Sequence, residues 1–246
     1  MKASRFATIV LSVALGALGS AAGCAPAASC PDCVPAVASP AFAVTSDYTV
    51  GGYAVIDSET WAAQSSTGID NDPAVRAFGS RILVLGRTGG SVTVFRFDAG
   101  RLTLERQFSV ADAGGPSPNP HDVALVALGG AKAYVTRFGQ ATLAIVDVDQ
   151  GTVTGTIDLS AFADPDGRPE MDGIAVAGGR AYVACERLDA SYQPSGPGVV
   201  AVIDVATDSV VDLDPTMPGL QGIALDGANP YGSVQVGSSP TELLVA

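Results

Sequence analysis

Histidine occurs once in this sequence, at position 121, and that removes several chemistries at once. With no second imidazole, a His-rich zinc, copper or haem site does not fit within the chain. His121 lies between Pro120 and Asp122, where an imidazole can act as a base, bind a ligand or cap a strand. A Ser-His-Asp triad would have to recruit Ser117, the nearest hydroxyl in sequence, and no G-x-S-x-G, H-E-x-x-H or C-x-x-C-H motif is present. No catalytic residue and no organic cofactor is assigned. The densest run of carboxylates is Asp164, Asp166, Glu170 and Asp172, with Gly167 among them. Alternating acids around a glycine turn offer hard oxygens to Ca²⁺, so these four are the candidate calcium ligands. They do not form an EF-hand, because the third acid follows the glycine and no terminal Glu is placed. The alternative is an acidic surface turn.

The cysteines divide into three cases. Cys30 and Cys33 form a C-x-x-C. A redox pair would need a helix N-terminus to lower the thiol pKa, and a metal site would need two further ligands nearby; neither is evident. A local disulfide between Cys30 and Cys33, in an oxidising compartment, is the expectation. Cys185 ends an apolar strand pattern, Ala181-Tyr182-Val183-Ala184-Cys185, and is expected to be a buried free thiol.

Cys24 follows a leader. Lys2 and Arg5 form a positive start, Phe6 to Gly19 is uncharged and mostly apolar, and Ser20, Ala21, Ala22 and Gly23 are small. The apolar run is shorter than the roughly 20 residues of a membrane span and suits a signal peptide over 1–23. The site resembles a bacterial lipobox, with Ala21 where that motif usually has Leu. The resemblance implies cleavage before Cys24, lipid attachment to its sulfur, and a place in the bacterial cell envelope, extracytoplasmic, on the outer membrane or cell surface. Ordinary secretion is the alternative. Residues 24–47, rich in Ala, Pro and Ser, read as an extended tether.

The remainder is globular in composition: 47% hydrophobic, 15% charged, with 29 Gly and 16 Pro, a profile of many short elements and tight turns. The formal charge is −12; without Lys2 and Arg5, 11 basic residues face 25 acids, a net −14. Such a surface repels nucleic acid, which needs Lys and Arg to displace counterions. It also disfavours peripheral docking on anionic lipid.

Self-similarity organises the chain. One segment, an apolar strand, a turn and a second strand, starts at Gly51 (GGYAVIDSET), Ser91 (SVTVFRFDAG), Thr142 (TLAIVDVDQG) and Val199 (VVAVIDVATD). Asp57, Asp147 and Asp204 share one place in it, with Arg96 in the second copy, at separations of 39, 51 and 57 residues. A second segment precedes each full hairpin: AVRAFGSRILVLGRTG from Ala74, PHDVALVALGGAKAYVTRFG from Pro120 and MDGIAVAGGRAYVACERL from Met171. A fourth copy is read from Gln221 and resumes as TELLVA. Two strands plus two give a four-stranded antiparallel unit, and units of this period predict an all-β β-propeller over 48–246. The expected parts are a half-blade at 48–66, blades at 72–110, 120–160 and 171–214, and a half-blade at 220–246. About four blades are thus present, and the chain reads as a partial propeller; the alternative is that the two half-blades join and close a four-bladed ring.

Tyr134-Val135-Thr136-Arg137 and Tyr182-Val183-Ala184-Cys185 resemble the Tyr-Val-Thr-Asn strand of the YVTN family of β-propeller repeat proteins, each departing at the last residue. The layout of leader, tether and blades also resembles uncharacterised exported bacterial propeller lipoproteins. In such folds the loops entering the inner strands gather at one mouth of the channel. Here those residues are Asp72, His121, Asp122, Asp172, Gln221 and Glu242, a candidate site for a cation or polar ligand and, alternatively, a solvated rim. The function expected is a membrane-anchored scaffold that binds another envelope protein or a small ligand, without catalysis. The rival is a propeller enzyme such as a lactonase, which the YVTN resemblance brings with it, or a quinone-dependent dehydrogenase-like subunit.

Overall fold

The computed structural model describes residues 8–10, 40–237 and 242–245. Cys24, Cys30 and Cys33 lie outside the described residues. Nearly all described secondary structure is strand, with one 3₁₀ turn at Ser160–Phe162.

Three sheets have the expected unit. β5 (Pro73–Phe78), β6 (Arg81–Gly86), β7 (Ser91–Asp98) and β8 (Arg101–Ser109) pair antiparallel in sequence order. So do β9 (Pro120–Leu125), β10 (Lys132–Arg137), β11 (Thr142–Asp147) and β12 (Thr152–Asp158). The next sheet is β13 (Met171–Ala177), β14 (Arg180–Cys185), β15 (Val199–Asp204) and β16 (Ser209–Val210). The first strands pack on one another from sheet to sheet, β5 on β9 and β9 on β13. They form the inner layer, and the last strands lie outermost.

This stacking explains the sequence pattern. A sheet between two others is buried on both faces, so its middle strands read as continuous apolar runs. All six residues of β6 are buried, as are the four central residues of β11. The outer β12 alternates between exposed and partly buried residues over most of its length, because one face meets water. The cores are the spaces between neighbouring sheets. Phe42, Val44, Ile82, Val84 and Phe95 fill the first, Leu83, Leu85, Val94, Val123, Val135 and Val146 the second, and Tyr134, Leu143, Met171, Val183, Cys185 and Ile203 the third. Cys185 is a buried free thiol, and loss of hydration pushes its pKa up to about 12.

The repeated aspartates close the hairpins. Asp147 Oδ1 accepts the amides of Asp149 and Gln150, and Asp204 Oδ1 those of Ala206 and Thr207. Asp57 does the same for Glu59 and Thr60. The second copy needs no such cap, because Asp98 and Arg101 flank a two-residue turn with both Ala99 and Gly100 at positive φ. Arg96 instead pairs with Glu105 across the sheet. At the start of each second strand a cation reaches outward. Arg81 bonds Asp149 in the turn of the next sheet at 2.5 Å, and Lys132 bonds Asp208 in the turn after that at 2.6 Å.

Several expectations are corrected. Residues 41–46, assigned to the tether, form strand β2 (Ala41–Ser46) with Phe42, Ala43 and Val44 buried. With β3 (Gly51–Ile56) and β4 (Ala63–Ile69) it makes three strands of a sheet rather than a hairpin alone. Tether-like composition hid it, although Phe42 stacks on Tyr53 at 5.5 Å. β1 (Thr8–Val10), inside the expected signal peptide, pairs with the free edge of β2, since an open edge templates any extended segment. Trp61, the one tryptophan of the sequence, is 77% exposed. Finally, Gln221 does not open a further inner strand. β17 (Ile223–Ala224) pairs with Val199 and Val200 of β15, the part of that strand left uncovered by the two-residue β16. The next inner strand is β18 (Gln235–Val236), which pairs with β19 (Leu243–Leu244) and packs beside β13.

Arg137, where the YVTN pattern has Asn, is fully buried and ties two sheets together. Its guanidinium donates to the carbonyls of Val110 and Thr142 at 3.1 and 2.9 Å, to Asp112 at 2.8 Å and to the Thr142 hydroxyl. Arg137→Ala orphans two carbonyls and opens a cavity, and is expected to cost about 3 kcal/mol in a denaturant melt. Removing only the half-exposed carboxylate, in Asp112→Ala, should cost less than 1 kcal/mol. Equal losses would overturn this assignment.

Candidate functional site

Two inner strands begin with an aspartate that grips its neighbour. Asp122, on β9, is 3% exposed. It receives Arg76 of β5 in a two-pronged pair at 2.5 and 2.8 Å, its own neighbour Val123 N–H, and the Ile174 N–H of β13 at 2.9 Å. Asp172, on β13, uses one oxygen for His121 Nδ1 at 2.8 Å and the other for the Gly232 N–H, in the segment leading to β18. Each carboxylate thus crosses to the backbone of the following unit.

Gly173 makes the second crossing feasible. A Cβ there would lie 2.3 Å from the Gly232 carbonyl and 2.7 Å from the Val234 nitrogen, so only glycine lets the 231–234 segment come down over the strand entry. The result is a cavity of about 170 Å³ lined by Arg76, Arg87, His121, Asp122, Asp172 and Tyr231 among others. Phe138 stacks on the His121 ring at 4.4 Å and 17° and fixes its plane. Arg87 faces Asp72 at 3.7 Å, and its Nε is buried without a hydrogen-bond partner.

The third polar group beside His121 and Asp172 was not anticipated. Glu186 follows β14, is 2% exposed, and its Oε1 is buried without a hydrogen-bond partner. Ligand atoms of His121, Asp172 and Glu186 all lie within 4.8 Å of one another. Burial, then the neighbouring Asp172 charge, pushes the Glu186 pKa up to about 8. The repeated segment read from Met171 runs through Glu186 to Leu188, but nothing in the residue types marks this acid as one that meets His121.

Of the expected mouth residues, the structure gathers His121, Asp122 and Asp172, with Asp72 behind Arg87. Gln221 lies instead at the outer edge, its amide N–H on Asp212 at 3.1 Å. Glu242 is exposed in the β18–β19 hairpin, where its carbonyl accepts the Gly237 N–H. Neither lines the cavity.

The calcium set is divided. Asp164, Asp166 and Glu170 come together, but Asp172 leaves them for His121, because β13 begins at Met171 and carries it to the inner layer. The three that remain belong to a hydrogen-bonded turn. Asp164 accepts the Ser195 hydroxyl and the Asp166 N–H, and Glu170 accepts the Leu188 N–H at 3.0 Å. The Ser195 hydrogen bond holds Asp164 below the usual carboxylate range, whereas burial raises Glu170 to about 7.

No protein-family model matches the sequence, and no curated protein does. Solved structures do match. The WD40 domain of coronin from Toxoplasma gondii superposes with a TM-score of 0.56 at 10% identity, over 84% of this chain and 49% of that one. Hydrazine synthase of Kuenenia stuttgartiensis gives 0.52 at 16%, over 80% and 48%. A dihydro-haem d1 dehydrogenase gives 0.50 at 11%, over 78% and 36%. The fold is a β-propeller. The chain spans about half or less of the length of these neighbours, and at such identities the likeness extends to the fold alone.

The pH dependence of stability follows from the raised carboxyls. In the folded state Glu186 titrates near 8 and Glu170 near 7, against an ordinary 4.5, so the native state holds more protons between these values. Stability therefore falls as pH rises through that window. In chelator, the melting temperature should drop between pH 5 and about 8. Glu186→Gln should flatten the upper part of the curve. An unchanged slope in that variant would show that Glu186 does not hold the proton.

Proposed function

We propose that this chain is a lipid-anchored protein of the bacterial cell envelope, whose propeller binds a small anionic ligand, or an acidic side chain of an envelope partner, at the mouth described above. The leader and Cys24 support the anchor, and the signature strands support a YVTN-type propeller. The observation that carries the binding reading is Arg87. A buried guanidinium Nε without a partner, on the wall of a cavity, holds unused donor capacity and costs free energy until an acceptor arrives. Asp122 is spent on Arg76 and two amides and belongs to the scaffold, and one oxygen of Asp172 is held by the Gly232 N–H.

One observation favours the enzyme alternative. A carboxylate on His121 Nδ1 orients an imidazole as it would be oriented for base catalysis. A lactonase could be built on that pair if a substrate carbonyl reached it. The binding reading is preferred because, among the described residues, no nucleophile is hydrogen-bonded to His121.

Two outcomes follow. Chelator-treated full chain should be stabilised by at least one of phosphate, acetate and oxalate, with the shift in melting temperature lost in Arg87→Ala. No shift with any of them sinks the binding reading, and hydrolysis of a simple lactone that disappears in His121→Ala transfers it to the enzyme. In cells, labelled fatty acid should enter the wild-type protein and not Cys24→Ala, which should move to a soluble fraction. Equal labelling of the two ends the anchor.

A further inference from the structure

Glu186, His121 and Asp172 come from three different strands or strand ends, two in one sheet and one in its neighbour. Their meeting is therefore a product of blade packing rather than of local sequence. Three features of that meeting bear on what it holds.

The first is spacing. His121 Nδ1 and Asp172 Oδ1 are 2.8 Å apart, and His121, Asp172 and Glu186 each offer one ligand atom such that all three atoms lie within 4.8 Å of one another. Two ligands side by side on one ion, with bonds of about 2.0–2.2 Å, sit about 3 Å apart, and His121 and Asp172 already stand near that separation. The second is the orphaned oxygen. Glu186 is 2% exposed, and its Oε1 has no donor. A buried carboxylate oxygen without a partner is costly unless a proton or a cation satisfies it. The third is support around the set. Phe138 fixes the imidazole plane and is stacked in turn by Tyr192 at 6.5 Å, while the Gly232 N–H orients the second oxygen of Asp172. Outer contacts of this kind hold metal ligands in place. The nearest competing cation, Arg76, is neutralised by its two-pronged pair with Asp122.

We propose that His121, Asp172 and Glu186 form a binding site for one divalent first-row transition-metal ion, of the Mn²⁺ to Zn²⁺ range, at the mouth of the propeller. One imidazole and two carboxylates suit these ions better than Ca²⁺ or Mg²⁺, which prefer all-oxygen sets. Two carboxylates balance the charge of the ion. Three protein ligands leave coordination positions facing the cavity that Arg87 lines, so the ion and Arg87 would share one anionic ligand. The inference rests on the reading of this mouth as an anion site and names the second cation that recognises the anion. In the absence of metal a proton takes the place of the ion, in keeping with the raised affinity of Glu186 for one.

The test uses the full chain, stripped with a chelator and dialysed. Mn²⁺ is the probe because it has little affinity for sulfur ligands, so Cys30 and Cys33 do not compete whether oxidised or reduced. Its free ion is counted by electron paramagnetic resonance. One Mn²⁺ per chain is expected, together with a rise in melting temperature. In Glu186→Gln and in His121→Ala the Kd should rise by at least the roughly 10- to 100-fold that even an outer-shell partner costs. Glu186→Gln keeps the shape of the side chain, and its circular dichroism and cooperative melt in chelator establish that it folds. Absence of binding, or binding unchanged in Glu186→Gln, overturns the proposal. Binding kept in Glu186→Gln but lost in Asp166→Asn also overturns it and assigns the ion to the 164–170 turn. Failure here with the phosphate, acetate or oxalate shift still dependent on Arg87 removes the metal and leaves the anion site standing.

Discussion

The structure depends on carboxylates that cross from one blade to the next. The strand ladder of a propeller blade closes within the blade, so most of the contact with its neighbours is apolar packing, which fixes distance well and rotation poorly. Asp122 reaching the Ile174 amide, and Asp172 reaching the Gly232 amide, add directional bonds at the inner end. Arg81 on Asp149 and Lys132 on Asp208 do so elsewhere on the blades. Between the β9–β12 and β13–β16 sheets both sets are made, and they fix the rotation of one against the other. The mouth acquires its geometry as a consequence.

That arrangement also sets the electrostatics. Burying Asp122 is tolerated because Arg76 and two backbone amides neutralise and solvate it in place of water. Among the described residues Glu186 Oε1 has no hydrogen-bond partner, and burial beside the Asp172 carboxylate raises its proton affinity instead. The difference between these two acids, a few residues from each other in space, separates scaffold from candidate site. Arg137 is the basic counterpart of Asp122, a fully buried charge with four acceptors, and it belongs to the scaffold.

Much of the fold was legible because a blade is a local object. Strand pairs such as β10–β11 and β14–β15 carry apolar runs bounded by Gly, Asp and Asn turns, and the aspartates at 147 and 204 mark the same capped hairpin. The reading went astray where composition and pairing disagree. β2 is short and lies in a Pro- and Ala-rich stretch, so nothing in its residues announces a strand until β3 is beside it. Ile223–Ala224 repeats the wording of an inner strand, yet it pairs at the outer edge, because the edge of β15 was open there and hydrogen bonds are satisfied by whichever segment is near.

The sequence by itself determined the four-stranded units, their order, the hairpin caps and the acidic composition, all of which are written in contiguous residues. It also singled out His121, Asp122 and Asp172 at strand entries. Only the tertiary structure decided which of them meet. It paired Asp122 with Arg76 from the preceding blade, took Asp172 away from the acids beside it in sequence, and brought Glu186 from the far end of the adjacent strand. Those pairings depend on the rotation of one blade against another. That rotation arises from packing between sheets some fifty residues apart in the chain, as the 51 residues between His121 and Asp172 show, and no local pattern of residue types encodes it.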